Sequence, residues 1–270
     1  MKKKLLVLAL AFAVIFTFTL TGCGKDAEEV SDYGEGYTFV QGFDADFPPY
    51  SHIDDNGEVS GFDVELCQAL CEELGWNYEP HSLNWDAKDA ELNSGACDCI
   101  WSGFTVEGRE DDYVFSIPYS ENSQMILVNK DSGIKTLDDL AGKKVGVQTA
   151  TSAFDMLNEG AAQELAKTFG ELVVEETYTI CYEDLKAGAI DAIAIDITTG
   201  DYLTRNDNGQ YVYLSENIGT ETYAVGFRLG DEALAEKVNE GLKALAANGK
   251  FDEIAKKYPD IAPFLSISAE

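Results

Sequence analysis

Between Phe39 and Ile100 the chain alternates short apolar runs with helical patterns, in the order strand, helix, strand, helix, strand, and this order limits what it can fold into. Phe39 and Val40 begin a strand. Gly61 to Gly75 places Leu66, Leu70 and Leu74 at four-residue intervals and stops at glycine, the pattern of a helix. Trp76 and Tyr78 lead through a polar turn to Trp85, a helix follows from about Asp86 to Asn93 with Gly95 as its cap, and Asp98 to Trp101 ends a buried strand. Parallel strands joined by crossover helices give a sheet with helices on its faces. Ligands of such sheets sit beyond the carboxyl ends of the strands.

Two segments leave from those ends. One, CDCIWSGFTVEGREDDYVFSIPY from Cys97 to Tyr119, sets Ser102, Gly103 and Thr105 on a turn and Arg109 shortly after. A hydroxyl, a glycine amide and a guanidinium are the donors a carboxylate needs, and the arginine fork meets both oxygens at once. The same arginine could instead form a surface ion pair with Glu107, Glu110, Asp111 or Asp112, and the stretch alone leaves both readings open. The other segment, Asp44 to Tyr50, carries Asp44, Asp46, Phe47 and Tyr50 on a loop, because Pro48 and Pro49 stop helix and strand alike. Aspartates beside aromatics on a stiffened loop suit a binding surface.

Beyond Pro118 the alternation starts again. Gln124 to Asn129 reads as a strand crossing out of a first lobe, Leu137 to Leu140 as a short helix and Lys144 to Gln148 as a buried strand. Thr149, Ala150, Thr151 and Ser152 then open a helix whose first amides suit an anion, unless Thr151 or Ser152 merely caps it. Val173 and Val174 begin a strand, Tyr182 to Ala187 is a helix ended by Gly188, and Asp191 to Asp196 is a strand reading DAIAID. Asp196 either faces a cleft or caps the helix from Ile197. Ala224 to Phe227 crosses back, and helices at Glu232 to Ala247 and Phe251 to Tyr258 complete the first lobe.

In this order CDCI, SGFT, Arg109 and VFSIPY resemble the extracellular solute-binding proteins of ABC-type amino-acid importers, family 3, across roughly Tyr37 to Tyr258. Thr105 and Arg109 are separated by three residues where that family more often has four, and Gly108 can absorb the difference. Ala150 stands where the family has a glycine before its Thr-Thr or Thr-Ser pair. The resemblance implies an α/β, two-lobed periplasmic-binding-protein-like fold with two parallel-type sheets, helices on both faces and a ligand cleft between the lobes. Residues 37–120 plus 225–270 would form lobe 1, residues 126–219 lobe 2, and residues 119–127 and 220–225 the hinges.

It further implies that the protein captures an L-amino acid. The ligand carboxylate would meet Arg109, Thr105, Gly103, Thr151 and Ser152, and the ammonium Asp196 and Ser102. The side chain would lie against Asp44, Phe47, Trp85 and Tyr50. No catalytic residue, cofactor or metal is called for, and the partners are the amino acid and a membrane permease. A buried Asp44 facing an apolar tail would cost roughly 1–3 kcal/mol, which disfavours a leucine-like ligand. Aromatic faces prefer a cation. The expected order is lysine, arginine or a similar cation first, glutamine and other uncharged polar amino acids next, glutamate or aspartate last. A dehydratase acting on cyclic carboxylates shares the fold and would need an acid or base such as Asp44, Asp46 or His52. A sensor input protein, expected to run on into a signalling segment, is the third alternative.

Lys2, Lys3 and Lys4, an apolar run from Leu5 to Leu20 and the small residues before Cys23 describe a secretory leader over residues 1–22. Leu20-Thr21-Gly22-Cys23 resembles the bacterial lipobox, which implies a lipid on Cys23, with an uncleaved membrane anchor as the alternative. Residues 23–36, charged and rich in glycine, read as a flexible tether, so a monomeric body is expected outside the cell or in the periplasm, anchored to a bacterial membrane. Removing the leader leaves 16 basic and 49 acidic residues, a formal charge of −33. That excess argues against nucleic acid and against docking on anionic lipid. Cys67, Cys71, Cys97, Cys99 and Cys181 are an odd set that cannot all pair internally, and His52 and His81 lack metal-ligand spacing to them, so buried thiols are expected.

Overall fold

The structure is a computed structural model that describes residues 33–267. The leader and Cys23 lie outside the described residues. The first strand, β1 (Thr38–Asp44), is followed by a small hairpin sheet of β2 (Asp46–Phe47), β3 (Ser51–Ile53) and β4 (Val59–Ser60). Then come α1 (Phe62–Leu74), β5 (Asn77–Leu83), α2 (Lys88–Ser94), β6 (Cys99–Ile100) and β7 (Val114–Phe115). The chain crosses on β8 (Ser120–Asn129) into β9 (Lys144–Gln148), α3 (Ser152–Asn158), α4 (Gln163–Ala166), β10 (Glu171–Glu175) and α5 (Tyr178–Ala187). After β11 (Ala192–Asp196), α6 (Ile197–Thr204) and β12 (Tyr211–Tyr213) it returns on β13 (Gly219–Tyr223) to β14 (Gly226–Phe227), α7 (Glu232–Ala247) and α8 (Lys250–Ala255).

One sheet has the order β5-β1-β6-β14-β7 and the other β10-β9-β11-β8-β12, with β13 paired to β8. Both are mixed, where the sequence suggested parallel-type sheets. β1 runs parallel to β5 and β6, but β14 joins antiparallel to β6, and β8 runs antiparallel to β11. The crossings supply those antiparallel strands, β8 on the way out and β14 after the return, and a crossing strand is invisible to a βαβ pattern read locally.

The helix α1 forms as its leucine spacing predicts. Leu66 and Leu70 are fully buried, and Gly75 ends it in the left-handed conformation. Burying a leucine side chain is worth about 1.5–3 kcal/mol. Gly241 lets α7 approach this face, since a Cβ there would stand 2.9 Å from Leu70 Cγ. The second sheet buries Ile126, Val128, Val145, Val147, Ala192 and Ala194 in a core of its own.

Tyr33 to Gly36, within the stretch whose composition reads as a tether, already pack onto the body. Tyr33 and Tyr37 stack edge-on with ring centroids 5.0 Å apart, and the Tyr33 carbonyl accepts from Trp76 Nε1 at 3.2 Å. All five cysteines of the described residues are buried and unpaired. Among the described residues no group of His, Cys, Asp and Glu is arranged to hold a metal ion.

Candidate functional site

The turn after β6 is locked from below. Gly103 takes φ +53°, and a Cβ there would lie 2.5 Å from Phe47 Cε1, so only glycine fits. Its N–H donates to Asp63 Oδ2 at 2.7 Å, and Tyr119 OH donates to the same oxygen at 2.7 Å. The Gly103 amide, expected to bind a ligand carboxylate, is therefore spent inside lobe 1. Burial pushes the Asp63 carboxyl up to about 7.

Phe47, Trp85, Gly103, Thr105, Arg109, Thr151, Ser152 and Asp196 line one cavity, so eight of the eleven residues nominated for ligand contact come together. The space left is about 10 Å³, roughly room for one water. A wider groove of about 1140 Å³ opens beside it, sharing Arg109 and Ser152 and adding Asp86, Lys88, Asp89 and Asp155.

The other three nominees lie outside the cavity lining. Tyr50 is fully buried, stacked on Phe47 and edge-on to Tyr223 at 5.1 Å, and is core rather than a ligand wall. Ser102 is turned into lobe 1: its oxygen accepts from the Asp44 N–H at 3.2 Å and lies 2.6 Å from Ser51 Oγ, which in turn donates to the Asp44 carbonyl. Asp44 is buried, accepting from the Asp46 N–H at 2.9 Å and from Gln148 Nε2 of the other lobe at 2.8 Å. Its carboxyl rises to about 6, burial outweighing those two donors.

Arg109 ignores its acidic neighbours in sequence. Its Nη2 meets Asp155 Oδ2 across the cleft at 3.1 Å, and its guanidinium lies 4.8 Å from the Phe104 ring. The Arg109 side chain is only 11% exposed, which separates it from a solvated surface pair. Thr151 caps α3: its oxygen accepts from the Phe154 N–H at 3.3 Å while its hydroxyl donates to the Gln148 carbonyl at 2.8 Å. The capping alternative holds for this hydroxyl, which leaves it little capacity for a ligand.

Asp196 stands at the N-cap position of α6, but its side chain makes no capping bond there. Its Oδ1 instead accepts from Asn122 Nδ2 at 2.7 Å, from Gln124 Nε2 at 2.8 Å and from Tyr223 OH. Burial first, then the charge of Glu221, raises its pKa.

Glu221 is a residue the sequence reading missed. It is 3% exposed on β13, and its Oε1 accepts from the same two amides, Asn122 and Gln124, both at 2.6 Å. Its Oε2 accepts from Thr105 Oγ1 at 2.8 Å and from Ser152 Oγ. The hydroxyls of Thr105 and Ser152, expected to donate to a ligand carboxylate, therefore give their protons to Glu221. Lys88 was also missed. It is buried, lies 5.1 Å from the Trp85 ring centroid, and donates with Trp85 Nε1 to the carbonyl of Ala150, both at 3.2 Å.

Two lobes that meet around a small cavity, and that two crossing strands join, form the kind of molecule that traps a solute by hinge motion. The chain belongs to the bacterial extracellular solute-binding proteins, family 3, whose family model matches residues 39–260. It is 33% identical over 263 residues to the arginine-binding extracellular protein ArtP of Bacillus subtilis, covering 96% of this chain and 98% of that protein. To the L-cystine-binding protein TcyJ of Escherichia coli it is 30% identical over 224 residues, 82% of each chain. Among solved structures, an ABC uptake transporter substrate-binding protein from Streptococcus pneumoniae with bound histidine superposes with a TM-score of 0.78 at 32% identity, covering 82% of this chain and 92% of that one.

Proposed function

We propose that this protein captures a polar L-amino acid outside the cell, a cation in first preference, and hands it to the permease of an ABC importer. It is a binder and not an enzyme, as its relatives are. The observation that carries the reading is the cavity between the lobes, with Arg109 and Asp196 on its lining and Phe47 and Trp85 as its aromatic walls. Arg109 would hold the α-carboxylate, exchanging Asp155 for it, and Asp196 the ammonium. Relatives named for arginine and cystine, and a structure holding histidine, support a polar ligand.

The preference for a cation rests on the aromatic walls and on the acids of the adjoining groove, since Asp44 lies outside the cavity lining. The sequence Leu20-Thr21-Gly22-Cys23 supports anchoring by a lipid on Cys23. A thermal-shift screen of the twenty amino acids, followed by calorimetry, tests the reading. Arginine, lysine or histidine should raise the melting temperature, and Arg109→Ala should weaken the best of them by roughly 30-fold or more. A screen in which only acidic or branched aliphatic amino acids shift the protein would overturn the cationic preference. Retained affinity in the variant would remove Arg109 from the site.

A further inference from the structure

At the floor of the cleft Glu221 Oε2 accepts from two hydroxyls, Thr105 Oγ1 at 2.8 Å and Ser152 Oγ, so both point their protons at it. Each hydroxyl has one proton. Once that proton is committed, the oxygen faces every other neighbour as an acceptor. Thr105 Oγ1 then has lone pairs free, and Ser152 Oγ, which already accepts from Gln124 Nε2 at 3.1 Å, has one left. Both residues line the cavity together with Asp196. Thr105 comes from lobe 1 and Ser152 from α3 of lobe 2, and Glu221 on the crossing strand between the lobes touches both.

We propose that Glu221 is a specificity-determining positioning residue: by taking the hydroxyl protons of Thr105 and Ser152 it makes both oxygens acceptors, so that with Asp196 the cavity floor accepts an ammonium group and refuses a carboxylate. The inference rests on the amino-acid-binding reading above and reassigns Thr105 and Ser152 from the carboxylate end of the ligand to its ammonium end. Arg109 becomes the carboxylate's main partner. Two carboxylates share the amides of Asn122 and Gln124, so an arriving ammonium relieves a repulsion that no neutral ligand could. The other ionisable groups around the pair are Tyr223 on β13, Tyr178 on α5, Tyr213 on β12 and Tyr50 on the loop before β3, all held neutral by burial, and Arg109 across the cavity.

The test compares L-arginine with its des-amino analogue, 5-guanidinopentanoate, by calorimetry on the wild type and on Glu221→Gln. Glu221→Gln should weaken L-arginine about tenfold or more and leave the des-amino acid within about twofold, because the neutral amide frees the hydroxyls to turn. An equal loss for both ligands, or no loss, overturns the proposal. A second measurement needs no ligand: a carbon NMR titration of the Asp196 carboxyl should show its pKa falling by about one unit in Glu221→Gln, as removal of a like charge requires. An unchanged Asp196 titration overturns the proposal whatever the protein binds, whereas failure of all twenty amino acids to bind the wild type defeats only the amino-acid reading. Should Glu221→Gln not fold, Thr105→Val should reproduce the selective loss of L-arginine, and a loss shared by both ligands counts against the role assigned to Glu221.

Discussion

Two of the places where the molecule buries acid contrast in their partners, and the partners of each show what it is for. Asp63, on the first turn of α1, takes its two hydrogen bonds from Gly103 and Tyr119, and its role is to fix the turn that follows β6. Asp196 and Glu221 draw donors from both lobes and both crossing strands: Thr105, Ser152, Asn122, Gln124 and Tyr223. Burial raises the pKa of Asp63 and of Asp196 alike. A shifted carboxyl is therefore no guide to function by itself. An acid whose partners lie on one side of a hinge holds that side in shape, and an acid whose partners lie on both sides senses whether the hinge is closed.

Asp196→Asn gives the largest test of that distinction. It should weaken a bound cationic amino acid by about 2–5 kcal/mol, roughly 30-fold or more, with the folded protein at least as stable as the wild type near pH 8, because a repulsion between buried carboxylates is gone. Calorimetry and thermal melts on the same samples decide it. A protein that loses melting temperature and affinity together would show that Asp196 is structural.

Asp63→Leu should do the reverse. It orphans the Gly103 N–H and the Tyr119 hydroxyl, at roughly 1–3 kcal/mol for each buried group left unpaired, and so lowers the melting temperature by several degrees. Ligand affinity should stay within about fivefold, which titration of the surviving fold will show.

Asp63 also predicts a pH dependence. Its folded pKa of about 7 lies above the unfolded value, so its contribution to stability is complete below about pH 4 and is lost as pH rises toward 7. In Asp63→Asn this loss is absent. The difference in melting temperature between variant and wild type should therefore move in the variant's favour from pH 4 to pH 8. Parallel curves would mean that Asp63 stays ionised throughout.

The smallest effect is expected at Gln148→Ala, which removes the 2.8 Å bond to Asp44 between the lobes. Closure loses one hydrogen bond and affinity falls about 3- to 10-fold, with little change in ligand preference. A large shift in preference would bring Asp44 back as a determinant of the ligand side chain.

What the sequence reveals follows the range of the forces involved. α1, β9 and α7 can be read from spacing and glycine stops, because apolar periodicity and caps act within a few residues. Arg109, Phe47, Trp85 and Asp196 can be found from a motif and its resemblance. Glu221 cannot. It sits in Thr220-Glu221-Thr222, which reads as an exposed polar strand, and its partners Thr105, Ser152 and Asn122 are 116, 69 and 99 residues away. Asp63 is hidden differently, since an acid in the first turn of a helix is ordinary and nothing local reveals that it is buried. Tyr50 and Ser102 lie in the expected loops, yet side-chain direction decides that one packs into the core and the other bonds inside lobe 1.

The pairing of β13 with β8 gives the hinge a mechanical character. Thr220 stands opposite Ser123, Glu221 opposite Asn122 and Tyr223 opposite Ser120, so the two crossing segments form one hydrogen-bonded ribbon rather than two separate tethers. A ribbon flexes across its face but resists shear along its length, since sliding would break every rung at once. The lobes are thus guided along a single path, like a book on a stiff spine. Glu221 and Asn122 are rungs of that spine and also bond Thr105, Ser152 and Asp196 of the cavity lining, so any shift of that lining is passed directly to the part that bends.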